Sequence, residues 1–264
     1  MARPSRARRS GRGARDAAPA RRPRAGARRD VYVVADDLVR DVTFASLRRH
    51  GAYVVERNPV AYALSAATRS IPRPPAGRSP AIVIGDPAGD LPSARLEAVD
   101  VGRMLAVKPY VGREATAAVL RAAANAVLLH VASHTDNTAR GAAIQLADGP
   151  VEAAAVLERP IHTRLVVLLG CSSARAKERD ELAALAAAFM AAGAHTVVAS
   201  LWAVDDAVAR RFAHEFYLAD GVQDPIRALA HAQRKLIEDG SRVDQWSTFV
   251  VLGGSGEALQ DKAR

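Results

Sequence analysis

The chain contains a single cysteine, Cys171, and it stands directly after an apolar run at residues 165–170. A second apolar run, residues 126–132, leads through Ser133 to a histidine, His134. A thiol and an imidazole at the tips of two buried strands are the pair that nucleophilic cysteine catalysis uses. The thiolate attacks, and the imidazole first activates it and later protonates the leaving group. Cys171 is followed by Ser172, Ser173 and a charged stretch at residues 175–181, which predicts an exposed edge. A lone cysteine beside a strand also serves as a small buried hydrophobe, so position alone leaves both roles open.

His130, four residues before His134 and inside the apolar run, reads as a satisfied core histidine or a group supporting the site. The two share a strand face, as a metal pair would. The nearest third donor, His162, stands before another strand, so no metal site is expected. Phosphate-cradling motifs of the GxxxxGK[ST] and GxGxxG kinds are absent, and no cofactor is expected. Asp205 and Asp206 follow a predicted strand end at Trp202. One of the two is expected to cap the next helix. Their other use would be an acidic wall of a substrate pocket.

Positioning these residues requires a scaffold, and the pattern supplies one. Short apolar runs at 81–85, 126–132, 165–169, 196–201 and 249–252 alternate with helical stretches. The helices are predicted at 93–105, with Ser93 as N-cap, and at 114–125, 151–157, 180–192, 205–218 and 225–239. Continuously apolar strands between helices predict an α/β fold, a mostly parallel sheet covered by helices on both faces. In such sheets sites form at the carboxyl ends of strands. His134, Cys171 and Asp205 each fall just past such an end, so they can share one rim. Upstream, short β-branched runs at 31–35 and 52–55 predict a small N-terminal β subregion around a short helix, and residues 69–79, rich in Pro, Arg and Gly, an exposed loop.

Composition bounds the rest. The 264 residues are 49% apolar, enough for one sizeable domain or two small ones. No apolar stretch approaches the roughly 20 residues that span a bilayer, so no membrane partner is expected. One cysteine excludes an intrachain disulfide, and a reducing, cytoplasmic setting is the simpler reading. Eleven of the 37 basic residues and one of the 28 acidic residues lie within residues 1–29, so that stretch carries +10 and the remainder −1. This leader is Arg, Ala, Pro and Gly and is expected to be disordered. It reads as a solvated tail, or alternatively as a contact to nucleic acid or an acidic partner through phosphate or carboxylate pairing. No aromatic residue lies in it, so base stacking is excluded. No apolar core follows its arginines, so it is not a secretory signal.

Several strings, taken in order, resemble the CHAT domains, the caspase-like domains of bacteria. Residues 128–134 (LLHVASH) resemble their histidine strand, 144–149 (IQLADG) the hairpin after it, and 165–171 (LVVLLGC) their cysteine strand. Residues 191–194 and 197–205 resemble the next helix–strand unit, and 216–217, 228–233 and 246–253 the closing segments. Upstream, residues 62–65, Gly85-Asp86-Pro87, Leu91-Pro92, Ala94, Glu97 and Ala115-Thr116 sit in the same order.

The resemblance implies a caspase–hemoglobinase fold over residues 30–254, with tails at 1–29 and 255–264. It further implies a cysteine endopeptidase with Cys171 as nucleophile and His134 as general acid–base. The backbone N–H groups of Cys171 and Thr135 would bind the oxyanion. Thr135 stands where the family usually has Gly, and Ser172-Ser173 where many relatives carry an acid and Thr. Relatives in this clan that cut after Lys or Arg use an acid in the first specificity pocket, for which Asp205, Asp206 and Trp202 are the candidates. The implied partner is a protein or peptide substrate. No repeat of 30–50 residues precedes the domain, so any activator or recruiting protein is expected to act in trans. The alternative is a non-catalytic interaction or signalling module of the same fold.

Overall fold

The structure, a computed structural model, describes residues 29–34, 42–63, 80–170, 180–202 and 204–253. The N-terminal part holds β1 (Val31–Val33), the pair β2 (Arg48–Arg49) and β3 (Ala52–Tyr53), a single helical turn α1 (Val54–Arg57) and β4 (Val60–Tyr62). Then come β5 (Ile82–Gly85), α2 (Pro92–Met104), β6 (Tyr110–Val111), α3 (Ala117–Ala122), β7 (Leu128–Ser133), β8 (Thr135–Thr138), β9 (Gly141–Leu146), β10 (Gly149–Glu152) and α4 (Ala153–Leu157). The remainder is β11 (Leu165–Gly170), α5 (Asp180–Ala192), β12 (Thr196–Ser200), α6 (Asp206–Leu218), α7 (Pro225–Glu238), α8 (Val243–Trp246) and β13 (Phe249–Gly253).

Among the described residues the main sheet has eight strands in the order β1-β4-β13-β12-β11-β7-β5-β6. The four central neighbours β12, β11, β7 and β5 run parallel. Their side chains alternate between two cores. Leu128 and Ala132 of β7 and Leu165, Val167 and Leu169 of β11 join the core with α2, α6 and α7. Leu129, Val131, Val166 and Leu168 join the core with α3, α4 and α5. Burial on both faces is why these strands are apolar throughout rather than at every second residue.

The strand β13 is antiparallel to β12, with Ser200 opposite Phe249. The cause lies in what joins them. Helices α6 and α7 pack antiparallel, as the Glu215–His231 and Arg211–Asp239 pairs show, so the chain returns to the rim it left. Phe212 of α6 stacks on Phe249 at 3.8 Å between ring centroids and 9° between planes. Trp246 is buried against Tyr53. Each such ring contributes about 1.5–3 kcal/mol of burial.

Some local expectations change. The strands β1 and β4 pair with each other and extend the main sheet through β13, while β2 and β3 form a small two-stranded sheet of their own. Ser93 is not the N-cap of α2. Pro92 occupies the first helical turn and Leu91 the cap position, because proline lacks the N–H that this position leaves unpaired. The stretch 114–125 breaks into α3 between two 3-10 turns. The Asp148 side chain accepts from Ala117 N at 2.8 Å, which caps α3 from the hairpin between β9 and β10. Val151 and Glu152 belong to β10 rather than to a helix, because pairing with Ile144 and Ala143 outweighs their helical pattern. Gly193 ends α5 with φ +114°, and a Cβ there would approach Ile161 O to 2.5 Å. The 69–79 loop, almost all of the leader and the C-terminal tail lie outside the described residues.

Candidate active site

The carboxyl ends of β5, β7 and β11 meet at one rim. In register, Gly85 faces Ala132, and Gly170 faces Ser133. The residues that follow these ends are Asp86, His134 and Cys171. Cys171 itself lies outside the described residues, as do Ser172 and Ser173.

His134 is held by its backbone and by its ring. Gln145 N donates to the His134 carbonyl at 3.0 Å, and the Ser133 hydroxyl donates to Gln145 O. The strand β9 thus ties down the turn from β7 into β8. The ring Nε2 lies 3.1 Å from Asp90 Oδ1, with the His134 side chain 14% exposed and that of Asp90 63% exposed. Asp90 carries no signal in the sequence beyond an acid before Leu91-Pro92, and sequence reasoning missed it.

Asp90 reaches His134 because Asp86 shapes the loop between β5 and α2. Asp86 is buried, with φ +48°, a conformation that Asp tolerates better than most residues. Its Oδ1 accepts from Leu91 N at 2.9 Å and its Oδ2 from Arg95 Nε at 2.8 Å. Its own N–H donates to Ala132 O, which fastens the loop to the end of β7. The preceding Gly85 allows α2 to approach, since a Cβ there would collide with Ala98 Cβ and sit 2.9 Å from Ala94 O.

Thr135 is buried, and its neighbours at a small cleft are Val131, Ser133, Ile144, Leu168 and Leu185. Its register partner is Ile144. The bond from Gln145 N to His134 O makes His134 and Gln145 the hydrogen-bonded pair. One residue on, the Thr135 N–H therefore points away from β9.

The remaining candidates sit along the same rim beyond β12. Asp205 is the N-cap of α6, its Oδ1 accepting from Ala207 N at 2.9 Å and Val208 N at 3.3 Å. It takes the capping role expected of one of the two acids. Asp206 opens α6 and is partly buried. The Trp202 indole N–H donates to Asp244 O at 2.9 Å, and its backbone N–H to the Thr248 hydroxyl at 3.1 Å.

His130 is fully buried in the middle of β7, between Glu97 of α2 and Tyr217 of α6. Its Nδ1 lies 2.9 Å from the Tyr217 hydroxyl and its Nε2 2.9 Å from Glu97 Oε1. Burial, reinforced by the nearby Glu97 charge, pushes the Tyr217 hydroxyl well above its ordinary pKa. Burial raises the Glu97 carboxyl above its ordinary value, opposed by the hydrogen bond from His130. His130 is the satisfied core histidine of the two, and His134 is the one at the rim. Glu97 and Tyr217 stand in the family-like strings, but nothing in their spacing shows that they meet on His130.

Comparison with known proteins places the chain. Residues 15–254 match the family model of the CHAT domain. Tetratricopeptide repeat protein 28 of Homo sapiens is 29% identical over 234 residues, covering 66% of this chain and 9% of that protein. The Mus musculus protein of the same name is 29% identical over 213 residues, covering 62% and 9%. The chain therefore spans about a tenth of the length of these relatives. Among solved structures, the Saccharomyces cerevisiae separase–securin complex aligns with TM-score 0.51 and 16% identity, covering 74% of this chain and 14% of that one. At that identity the likeness shows the fold, which is of the caspase–hemoglobinase kind. This chain is thus a member of the CHAT domain family.

Proposed function

We propose that the chain is a cysteine peptidase that hydrolyses a peptide bond of a protein substrate, with Cys171 as nucleophile and His134 as general acid–base. The observation that carries this reading is the register of β7 on β11. The two strands pair to their last residues, Ser133 opposite Gly170, and His134 and Cys171 are covalently next on each. Neighbouring strands lie about 4.8 Å apart, so two side chains leaving adjacent strand ends start within reach of each other.

The chemistry follows. The thiol proton passes to His134, and the sulfur attacks the peptide carbonyl carbon. His134 returns the proton to the amide nitrogen, the C–N bond breaks and an acyl-enzyme remains. Water, deprotonated by His134, attacks the thioester and releases the thiol. The oxyanion is assigned to the backbone N–H groups of Thr135 and Cys171. The Thr135 amide, directed away from β9, supports this, and its burial beside Leu168 and Leu185 explains how threonine is tolerated where the family usually has glycine. One such donor is worth about 3 kcal/mol of barrier, roughly 100-fold in rate.

The substrate pocket is assigned to the rim beyond β12, with Trp202, Asp205 and Asp206 as candidate walls. Because Asp205 spends one oxygen on the helix cap, Asp206 is the better placed of the two acids to meet a basic side chain. Residues 30–254 are taken as the working unit, acting in a reducing compartment where Cys171 stays a thiol. The separase neighbour was solved in complex with securin, which supports a protein partner here as well. A second reading, an interaction module of the same fold without chemistry, draws on curated relatives named for their tetratricopeptide repeats rather than for a peptidase.

One experiment separates them. A protein library is incubated with wild type and with Cys171→Ala, and new peptide termini are mapped. Cleavage by wild type alone is the expected result. Identical termini in both samples would end the peptidase reading and leave the module.

A further inference from the structure

We propose that the groove beside β1 is a docking site for a protein segment that carries apolar side chains between carboxylates. The groove encloses about 470 Å³, within the roughly 300–1,000 Å³ of ligand clefts. Its floor is Val31, Phe44, Leu47 and Val54, and its lip carries Arg49, His50 and Arg57. It lies at the β1 edge of the main sheet, with β4, β13 and β12 between β1 and β11. Binding there needs no chemistry and is independent of the peptidase reading.

Local sequence builds the lip. His50 and Gly51 join β2 to β3 with φ +51° and +81°, the positive values that a two-residue hairpin turn requires. Arg48, Arg49 and His50 thus stand exposed at the hairpin tip. Arg48 donates to Gly51 O at 3.1 Å and lies over the Tyr53 ring, 5.1 Å from its centroid. The side chains of Arg49, His50 and Arg57 meet no acid among the described residues. Glu56, next to Arg57 in the chain, spends its carboxylate on the Tyr53 N–H. The lip is therefore basic without an internal counter-charge. Asn58, which also lines the groove, donates to Arg29 O at 2.8 Å. The stretch 1–29, with its charge of +10, thus joins the chain beside the groove and adds long-range attraction for an acidic partner.

The floor decides which acidic partner fits. Leu47 is 45% exposed, a large apolar side chain left in water. Aliphatic carbon from Val31, Leu47 and Val54 gives a nucleic-acid phosphate nothing to bind. Base stacking needs an open aromatic face, and Arg48 already lies over that of Tyr53. An apolar floor under a basic lip matches an acidic amphipathic segment. Its apolar residues supply affinity, and its carboxylates supply orientation and encounter rate.

A random peptide library displayed on phage is selected on the full chain, and the enriched peptides are titrated by fluorescence anisotropy. They are expected to combine Leu, Ile or Phe with Asp or Glu. Leu47→Asp is expected to weaken them about tenfold through the lost apolar contact. Arg49→Glu combined with Arg57→Glu is expected to weaken them about as much at low salt and less at high salt. All three side chains are exposed, so thermal midpoints are expected to stay at the wild-type value. Enriched peptides that lack acids, or that bind both variants as tightly as wild type, would overturn the docking site. So would the absence of any enriched peptide. If in that case a short DNA duplex binds wild type and Leu47→Asp alike but not the arginine double variant, the lip is a phosphate contact instead.

Discussion

Tyr217→Phe removes one oxygen from a fully packed place, and the structure fixes what that does. The ring stays, edge-on to His130 at 5.7 Å between centroids and edge-on to Phe216 at 5.2 Å. The hydrocarbon burial is therefore kept, and the loss is the hydroxyl hydrogen-bonded to His130 Nδ1 at 2.9 Å. His130 is 0% exposed, so no water replaces it. Leaving a buried polar group unpaired costs about 1–3 kcal/mol. For a domain of this size that corresponds to a fall in Tm of about 2–4 °C per kcal/mol. Urea titration at pH 7 reads the change as a lower midpoint with an unchanged slope. The companion variant Tyr62→Phe loses a hydroxyl that accepts from Phe44 N, in a part-buried place, and is expected to cost less. Tyr217→Phe indistinguishable from wild type would mean that the Glu97–His130–Tyr217 chain contributes nothing to holding β7 against α2 and α6.

Further outcomes follow from the same structure. The Glu97 carboxyl is raised above its ordinary 4.5 by burial, so its contribution to stability is fully present below that pH and is lost as pH rises through the folded-state value. Glu97→Gln is expected to remove this slope, read as unfolding midpoints across pH 4–7, and parallel curves for both proteins would contradict it. Gly85→Ala is expected to push α2 off β5 and cost about 1–3 kcal/mol, checked by thermal melting, because the added Cβ meets Ala98 and the Ala94 carbonyl. Asp205→Ala is expected to cost about 1 kcal/mol through the lost cap of α6, again by melting. If Asp205 also walls the substrate pocket, activity on basic peptides falls by more than stability explains.

Much of the scaffold was legible because burial writes itself into composition. Strands β7, β11 and β12 read as unbroken apolar runs since helices cover both of their faces, and α5, α6 and α7 are bounded by Gly193, Asp205 and Pro225, whose local chemistry is plain. The three-residue strands β1 and β4 offer too short a pattern to show which sheet they join; β13 settles that. His134 was legible from its place after an apolar strand. Asp90 was not, because it meets His134 across 44 residues and only the bonds around Asp86 bring it there. The partners of His130 lie 33 and 87 residues away, and a buried carboxylate on a helix looks from sequence like any solvated one.

In the proposed dyad, Cys171 and His134 share a proton. A thiolate absorbs in the ultraviolet where a thiol does not, and with one cysteine in the chain that absorbance belongs to Cys171. Titrated in wild type, its midpoint is expected below the free-thiol value of about 8.5, and His134→Ala is expected to return it there. A wild-type midpoint at the free value, unchanged by His134→Ala, would contradict the pair and with it the proposed chemistry.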